Sequence, residues 1–181
     1  MPTHINVPTI ETERLRLRSY RPDDLDDASA MYAAPEFTRH VAAAAIPREE
    51  VWTRILRYVG QWAVFGYGIW AVEEKATARF AGEAGFACLK RDIVLPVPCE
   101  DAPEAGWGFA PWAHGKGFAT EAVRAAHTWL DAELGLKRTV CIIRPANVGS
   151  VRVASKCGYE ELDRVPYGGI PILVFGRTAT G

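Results

Sequence analysis

The feature that most constrains the fold is a glycine-rich turn that lies between a strand-like segment and a helix-like segment. Residues 104–109 are typical of a strand, and the two glycines within them predict a bulge or a close approach of another backbone. The turn His114-Gly-Lys-Gly-Phe-Ala-Thr120 follows, and residues 120–134 then carry apolar side chains at helical spacing up to a stop at Gly135. This order of elements predicts an α/β unit.

Strand-like and helix-like patterns recur along the rest of the chain. The predicted strands cover residues 13–18, 69–73, 79–89, 104–109, 138–144, 159–165 and 170–177. Helices are predicted around residues 25–32, with an end at Pro35, and around residues 47–59, 120–134 and 148–157. The last two strands are predicted to pair through the turn Tyr167-Gly168-Gly169. Leu15 and Leu17 alternate with arginines, which indicates a half-buried strand, and residues 90–103 indicate a long loop. We therefore predict one mixed α/β domain over residues 1–181 in the order β-αα-ββ-β-α-β-α-ββ.

Composition places the chain among ordinary globular proteins. With 181 residues, of which 49% are hydrophobic and 24% charged, it can bury a sizeable core. Its net charge of −1 offers no basic field to nucleic acid, and no apolar run reaches the roughly 18–20 residues that span a bilayer. Residues 1–4 open a polar segment without a basic region followed by an apolar stretch, so we do not expect a signal peptide, and four scattered cysteines fit reduced thiols. We expect a cytoplasmic protein with neither nucleic acid nor membrane as partner, as a monomer or homodimer.

The glycine turn predicts an anion site. Gly115 and Gly117 are one residue apart, so backbone N–H groups can point inward without Cβ clashes. The helix that follows offers unpaired N–H groups and a positive dipole end, which together favour a phosphate. A tight strand–helix connection that needs glycine only for its geometry is the alternative interpretation.

Two phosphate-binding motifs fail on spacing. A P-loop requires G-x-x-x-x-G-K-S/T, but Lys116 is followed by Gly117, and Gly108 lies seven residues before Gly115. A dinucleotide fingerprint requires a third glycine where Thr120 stands, and the acidic residue expected after the next strand is missing. The diphosphate of coenzyme A remains, for which the motif is Q/R-x-x-G-x-G/A. The glycine pair fits this motif, and Trp112 departs from its first position.

Two longer segments extend the match beyond the turn. Residues 112–122 and 144–159, the latter with Asn147 and Ser150, resemble the RimJ/RimL branch of the GNAT acetyltransferases. The N-terminal half agrees in the same order along the chain. Its matching segments are residues 12–18, 35–40, 68–70 and 81–85.

The resemblance implies a mixed, mostly antiparallel sheet flanked by helices, with a splayed parallel pair at residues 104–110 and 138–144. It also implies that the pantetheine arm of acetyl-CoA lies between these two strands, and that no metal takes part. The implied cofactor-binding residues are Phe109, Ala110, His114, Gly115, Lys116, Gly117, Phe118, Ala119, Thr120, Asn147 and Ser150.

The implied reaction is acetyl transfer from acetyl-CoA to a primary amine, by direct attack in a ternary complex. The amine belongs to a protein N-terminus or to a small molecule. Glu104 is the first candidate for the base and Glu83 the second, while backbone N–H groups near Phe109 are expected to support the thioester oxygen.

The usual proton donor is missing, because many GNAT enzymes use a tyrosine seven residues after the asparagine, where this chain has Ala154. Ser150 is the expected replacement, ahead of Ser155. The missing tyrosine motivates an alternative function, a non-catalytic acyl-CoA-binding module. A nucleotide-binding domain is the third hypothesis.

Other residues are candidates for the acceptor side or for the phosphates. Trp70 and Trp107 are candidates to wall an acceptor pocket, although such aromatic residues more often belong to a core. Glu100 and Asp101 are candidates to attract a cationic acceptor, and Lys116 to add charge beside the diphosphate. The sequence does not identify the acceptor.

Overall fold

The molecule is organised around one eight-stranded sheet with the strand order β1-β2-β3-β4-β5-β6-β8-β7. This is a computed structural model, which describes residues 5–41, 45–93, 95–96 and 102–179. The strands are β1 (Ile10–Glu11), β2 (Leu15–Arg18), β3 (Ile69–Glu74), β4 (Arg79–Ala87), β5 (Glu104–Phe109), β6 (Arg138–Ile143), β7 (Glu160–Tyr167) and β8 (Ile170–Thr178). The α-helices are α1 (Leu25–Ala33), α2 (Pro35–Val41), α3 (Arg48–Phe65), α4 (Phe118–Trp129) and α5 (Val148–Lys156).

Strands β5 and β6 form the one parallel pair among the described strands. They share a single register pair, Glu104 with Val140, after which they diverge. Every other pairing is antiparallel. The predicted mixed sheet with a parallel pair at residues 104–110 and 138–144 is confirmed. Because the strands touch only at the start of β5, a gap opens towards the ends of both.

The two faces of the sheet carry different helices. Helix α4 buries Ala122, Val123 and Ala126 against the face that holds Leu15 and Leu17. Helices α1, α2 and α3 cover the opposite face, which presents side chains of β3 such as Ile69 and Ala71. No helix in the described ranges is both long enough and apolar enough to cross a bilayer.

The strand around Leu15 differs from its prediction at its C-terminal end, where both of its faces are covered. Arg18 is only 7% exposed. Its guanidinium donates two hydrogen bonds of 2.8 Å to Asp24 and one of 2.9 Å to Glu73. The alternation of leucine and arginine indicated a solvent face, whereas helix α1 and the turn before it cover that face and supply the partner carboxylate.

Helix α2 is an addition to the predicted elements. Pro35 ends the preceding helix, as the sequence indicated, and also begins a new one, since proline suits the first turn of a helix. The stop at Gly135 and the hairpin through Gly168 and Gly169 are confirmed. Helix α2 matters because it borders the cavity described below.

His127 of α4 is buried in the core between the rings of Phe86 and Tyr159, whose centroids lie 5.0 Å and 5.5 Å from its own. Neither ring nitrogen has a hydrogen-bond partner among the described residues. Burial, assisted by the positive charge of Arg177 and opposed by Asp131, lowers the pKa of His127 to about 3. The imidazole is therefore neutral in the folded protein over the whole physiological range.

Because His127 is neutral in the folded protein, we expect the protein to lose stability in acid. Unfolded histidine has a pKa near 6.5, so the unfolded state binds the proton first as the pH falls from about 6.5 to about 3. The free energy of unfolding falls by up to about 1.36 kcal/mol per pH unit in that window. Urea unfolding at pH 7 and pH 4.5 measures how much the free energy of unfolding falls between the two pH values. This fall should be about 2 kcal/mol smaller in His127→Leu than in the wild type. His40→Leu serves as the control, and equal losses in all three proteins would contradict the prediction.

Candidate active site

A cavity of about 550 Å³ lies beside the end of β5, where β5 and β6 have diverged. Trp107, Gly108 and Phe109 of β5 line it. The glycine turn with the starts of α4 and α5 lines one side, and α2 lines the other. Since α4 and α2 pack on opposite faces of the sheet, the cavity passes through the sheet, and it has the size of ordinary small-molecule sites.

The glycine turn has the geometry that an anion site requires. Gly115 and Gly117 adopt φ values of 75° and 80°, in the left-handed region that favours glycine. Gly117 is the N-terminal cap of α4, so the first N–H groups of that helix begin beside the cavity. Phe118, Ala119 and Thr120 all line the cavity at this point.

The N-terminal segment braces this turn from outside. Arg14 donates a hydrogen bond of 2.9 Å to the carbonyl oxygen of Lys116 and one of 2.8 Å to Glu121 in the first turn of α4. Thr12 donates a further bond of 2.6 Å to the same glutamate. The backbone of the turn is therefore held in place by residues more than 100 positions away in the chain.

The side chain of Lys116 points away from the cavity. Its ammonium lies 3.6 Å from Glu74 and 4.6 Å from the ring centroid of Trp112. The guanidinium of Arg79 also lies 4.3 Å from that ring centroid. Trp112, which departs from the first position of the coenzyme A motif, thus anchors the turn through two cation–π contacts.

Asn147 and Ser150 meet the glycine turn across the cavity, although about 30 residues separate them in sequence. The Asn147 side chain caps α5 by accepting a hydrogen bond of 3.1 Å from the backbone N–H of Ser150. Nε2 of His114 donates a bond of 2.9 Å to the carbonyl oxygen of Phe109 at the end of β5. The N–H of Ala110 bonds to Ala81 of β4, and so it is already used within the protein.

Glu104 lies outside this cavity. Its two carboxylate oxygens each accept a hydrogen bond of 2.8 Å from Arg91, and it lines a second cavity of about 330 Å³. Glu104 is also the residue at which β5 and β6 are still paired. Gly108 is four residues further along the strand, a distance of about 13 Å. The structure therefore does not bring Glu104 together with the glycine turn.

Glu83 is the centre of a buried cluster with Tyr20, Tyr32 and Tyr58. Their three hydroxyls donate to its carboxylate over 2.5, 2.5 and 3.0 Å. Burial, with the negative charge of Glu83 as second cause, raises the pKa of Tyr20 and of Tyr32 well above the usual value. The cluster ties β4 to α1, α3 and the end of β2, behind the cavity wall at Gly108, with which Glu83 is in register.

Comparison with known proteins agrees with this architecture. Residues 14–160 match the family model described as the acetyltransferase (GNAT) domain. The chain belongs to the GNAT acetyltransferase family. It is also similar to the uncharacterized protein YkkB of Bacillus subtilis, with 29% identity over 92% of this chain and 93% of that one.

Solved structures share the GNAT fold. A GNAT-family acetyltransferase from Bordetella pertussis superimposes with a TM-score of 0.81 and 25% identity, over 95% of this chain and all of the other. RimL, a ribosomal L7/L12 alpha-N-protein acetyltransferase in complex with coenzyme A, gives a TM-score of 0.76 over 94% of this chain and 98% of its own, at 15% identity. RimL is thus one of several GNAT neighbours, and its branch is not singled out.

Unlike Glu104 and Glu83, Glu36 lines the cavity, as the one carboxylate among the described lining residues. It is exposed in the first turn of α2. The sequence contained a signal for it, because Pro35 followed by an acidic residue is typical of a helix start. The predicted end of the preceding helix at Pro35 hid that second helix. Arg39 and His40 of α2 line the cavity as well.

The remaining candidates divide between the cavity and the core. Trp107 lines the cavity, whereas Trp70 is fully buried and packs against Trp62 and Trp129. Ala154 is buried too, and Ser155 bonds to a helix carbonyl away from the lining. Glu100 and Asp101 lie outside the described residues.

Gly117→Val should weaken the binding of acetyl-CoA at least tenfold, because a non-glycine residue in left-handed backbone costs about 1–2 kcal/mol and shifts the turn. Gly135→Val introduces the same strain at φ 63°, at the end of the π-helical turn that continues α4, outside the cavity lining. Calorimetric titration should show weaker binding for the first variant and wild-type affinity for the second. Wild-type affinity in Gly117→Val would show that the glycine turn is not the anion site.

Glu83→Gln should lower the free energy of unfolding by about 3 kcal/mol, because an amide N–H₂ would face three hydroxyl donors in a buried site. Glu36→Gln changes an exposed carboxylate in the same way and should leave stability within about 0.5 kcal/mol. Urea unfolding at pH 7 measures both. A loss below 1 kcal/mol in Glu83→Gln would show that the cluster tolerates a neutral centre.

Proposed function

We propose that this chain transfers an acetyl group from acetyl-CoA to a primary amine, by direct attack within a ternary complex. The observation that supports this most is the cavity through the sheet between β5 and β6. It places the glycine turn with Asn147 and Ser150 on one face and α2 on the other. Two substrates can therefore approach one point from opposite sides of the sheet.

The donor side suits a molecule that carries phosphates. Backbone N–H groups at the start of α4 favour a diphosphate, and Arg152 and Lys156 of α5 line the same side of the cavity. Acetyl-CoA, when bound, supplies a thioester as the activated acetyl group. The residues proposed to hold it are Phe109, His114, Gly115, Gly117, Phe118, Ala119, Thr120, Asn147 and Ser150. Lys116 and Ala110 are proposed only as neighbours that fix the turn and the end of β5, because Arg14 bonds to the Lys116 carbonyl oxygen and both backbone polar groups of Ala110 bond within the protein.

The acceptor side is assigned to α2. A protein α-amino group has a pKa of roughly 7.7–8.0, so at pH 7 roughly a tenth to a sixth of it is already the reactive free amine. Glu36 is better placed than Glu104 or Glu83 to accept the proton of the amine, because it lines the cavity. Arg91 binds the carboxylate of Glu104, and three tyrosines bind that of Glu83. A lysine acceptor, with a pKa of about 10.4, would depend more on this carboxylate.

Ser150 is proposed as the group that returns a proton to the leaving thiolate. It lines the cavity, and the Asn147 cap fixes its backbone. Ser155 hydrogen-bonds to the carbonyl oxygen of Val151 on the exposed side of α5. The position seven residues after Asn147 is the buried Ala154, which has no proton to give.

Ser150→Ala should lower kcat about tenfold, because a thiol of pKa near 8.5 is already a fair leaving group and an acid adds only part of the acceleration. The Kd for acetyl-CoA should rise by a smaller factor than kcat falls, because the glycine turn is proposed to supply most of the contacts with the phosphates. Ser155→Ala is the matched control and should keep wild-type kcat. If both serine variants turn over at the wild-type rate, Ser150 is not the proton donor.

The function itself is tested by thiol release from acetyl-CoA with a panel of amines. The panel holds peptides with a free α-amino group, an amino acid, spermine and an aminoglycoside. Turnover with any of these amines supports the proposed acetyltransferase activity. Tight acetyl-CoA binding with no turnover would support the non-catalytic module, and thermal stabilisation by NAD or ATP instead of coenzyme A would support a nucleotide-binding domain.

Two further assignments accompany this proposal. RimL acts on a protein N-terminus, and its likeness in fold supports a protein α-amine as one acceptor class. The described cysteines Cys88, Cys141 and Cys157 are free thiols, which supports a reducing, cytoplasmic location.

A further inference from the structure

Residues 12–14 precede β2 and line a groove that adjoins the main cavity. Gly117 and Thr120 line both the groove and the main cavity, whereas Arg14 and Glu121 line the groove only. The end of the glycine turn is therefore a shared boundary between the two. The function proposed above gives this boundary an anion to bind and leaves Arg14 and Glu121 without a role.

The number of N–H groups that α4 offers to an anion depends on where the helix begins. The N–H of Glu121 bonds to the carbonyl oxygen of Gly117 at 3.1 Å, and residues 118–120 precede this helical bond. In a helix that began one residue earlier, the N–H of Thr120 would bond to the carbonyl oxygen of Lys116. Arg14 donates to that oxygen instead, at 2.9 Å. We interpret this contact as one that leaves the N–H of Thr120 to an anion.

Glu121 places a negative charge in the first turn of α4, at the helix end that is proposed to bind the diphosphate. Its side chain is 17% exposed and accepts a hydrogen bond of 2.6 Å from the hydroxyl of Thr12 and one of 3.0 Å from the N–H of Arg14. Burial alone would raise the pKa of this carboxyl, but these bonds and the charge of Arg14 outweigh burial and lower it. The carboxylate is therefore ionised near neutral pH, and without a counter-charge it would repel a phosphate.

The guanidinium of Arg14 supplies the counter-charge at the turn itself. Its Nε donates a hydrogen bond of 2.8 Å to Glu121, and its Nη1 binds the carbonyl oxygen of Lys116. Its Nη2 would lie 3.6 Å from a Cβ at Gly117, and its Cζ lies 4.9 Å from the ring centroid of Phe118. One planar group thus reaches the carboxylate and the backbone of the turn together, as the fork of donors in arginine allows.

The backbone of Arg14 is fixed on both sides. Its N–H donates to Glu121, and its carbonyl oxygen accepts a hydrogen bond of 2.9 Å from the N–H of Lys75 at the end of β3. The ammonium of Lys75 also donates to the carbonyl oxygen of Thr12, at 2.9 Å. Binding groups that are already ordered lose little conformational entropy when a ligand arrives.

We infer that Arg14 is a positioning residue for the acetyl donor. It neutralises Glu121 and fixes the turn, so that the N–H groups of residues 118–120 bind the diphosphate of acetyl-CoA. Because Arg14 lines only the groove, it determines the affinity for the donor and not the rate of the chemical step. The inference rests on the proposed function, since it takes the glycine turn as the site of the phosphates.

The test compares Arg14→Met with the matched control Arg16→Met. Arg16 belongs to the same segment, its side chain is 42% exposed against 45% for Arg14, and it pairs with Glu11 and Glu73. Calorimetric titration with coenzyme A should give a Kd about tenfold higher in Arg14→Met, because a charge-assisted bond to the turn is lost and Glu121 is left unpaired. The control should stay within about twofold of the wild type. In both variants kcat at saturating acetyl-CoA should stay within about twofold of the wild type.

A second pair of variants separates charge from packing. Glu121→Gln removes the negative charge and keeps the size of the side chain. The double variant Arg14→Met/Glu121→Gln should therefore bind coenzyme A about threefold more tightly than Arg14→Met alone. A purely structural role predicts no such rescue, because the second substitution weakens further contacts. Arg14→Lys keeps the charge but not the fork of donors, and its Kd should fall between those of the wild type and Arg14→Met.

Several results would overturn the inference. One is an unchanged Kd for coenzyme A in Arg14→Met, or in Arg14→Lys if the methionine variant does not fold. An equal loss in Arg16→Met, a double variant no tighter than Arg14→Met, or a kcat that falls as far as the Kd rises would leave Arg14 a structural role only. A wild-type protein that binds coenzyme A but acetylates no amine would refute the proposed function, while the Kd values would still decide the role of Arg14.

Discussion

The divergence of β5 and β6 is the constraint on which the rest of the structure depends. Two parallel strands that continued side by side would satisfy each other's backbone groups and close the sheet. Here they share one register pair at Glu104 and Val140, and the sheet then opens. Backbone groups along the opening need other partners, and His114 already supplies one to the carbonyl oxygen of Phe109. The cavity, the glycine turn beside it and access from both faces all follow from this opening.

The helical layer formed by α1, α2 and α3 is positioned by buried polar contacts as well as by apolar packing. Arg18 joins β2 to Asp24 and β3, and Glu83 joins β4 to three tyrosines from separate elements. Buried charges are expensive to desolvate, so such pairs add little net stability. Their geometry is directional, and we interpret them as fixing how α1 and α3 sit on the sheet. Helix α2, which borders the cavity, follows directly from α1.

The three candidate carboxylates show that a sequence pattern does not determine what surrounds a side chain. Glu104, Glu83 and Glu36 are the same residue type in a sequence, and each stands near a segment that borders the site. Their partners separate them: a bidentate arginine for the first, three hydroxyls for the second and the cavity itself for the third. Arg91 comes from a loop and Tyr58 from a distant helix, so no local spacing predicts the contact of Arg91 with Glu104 or that of Tyr58 with Glu83. The same holds for Lys116, whose side chain turns to Trp112 and Glu74.

The sequence by itself indicated most of the helices and strands in their order, and it indicated the glycine turn before α4. These features depend on local periodicity and on the left-handed backbone that Gly115 and Gly117 permit, both of which are properties of neighbouring residues. The parallel pair and the nearness of the turn to Asn147 and Ser150 came from the resemblance to the GNAT family. Only the tertiary structure decided which side chains face the cavity. Glu36 lines it and Glu104 is paired with Arg91 elsewhere, because such outcomes depend on partners brought together from distant parts of the chain.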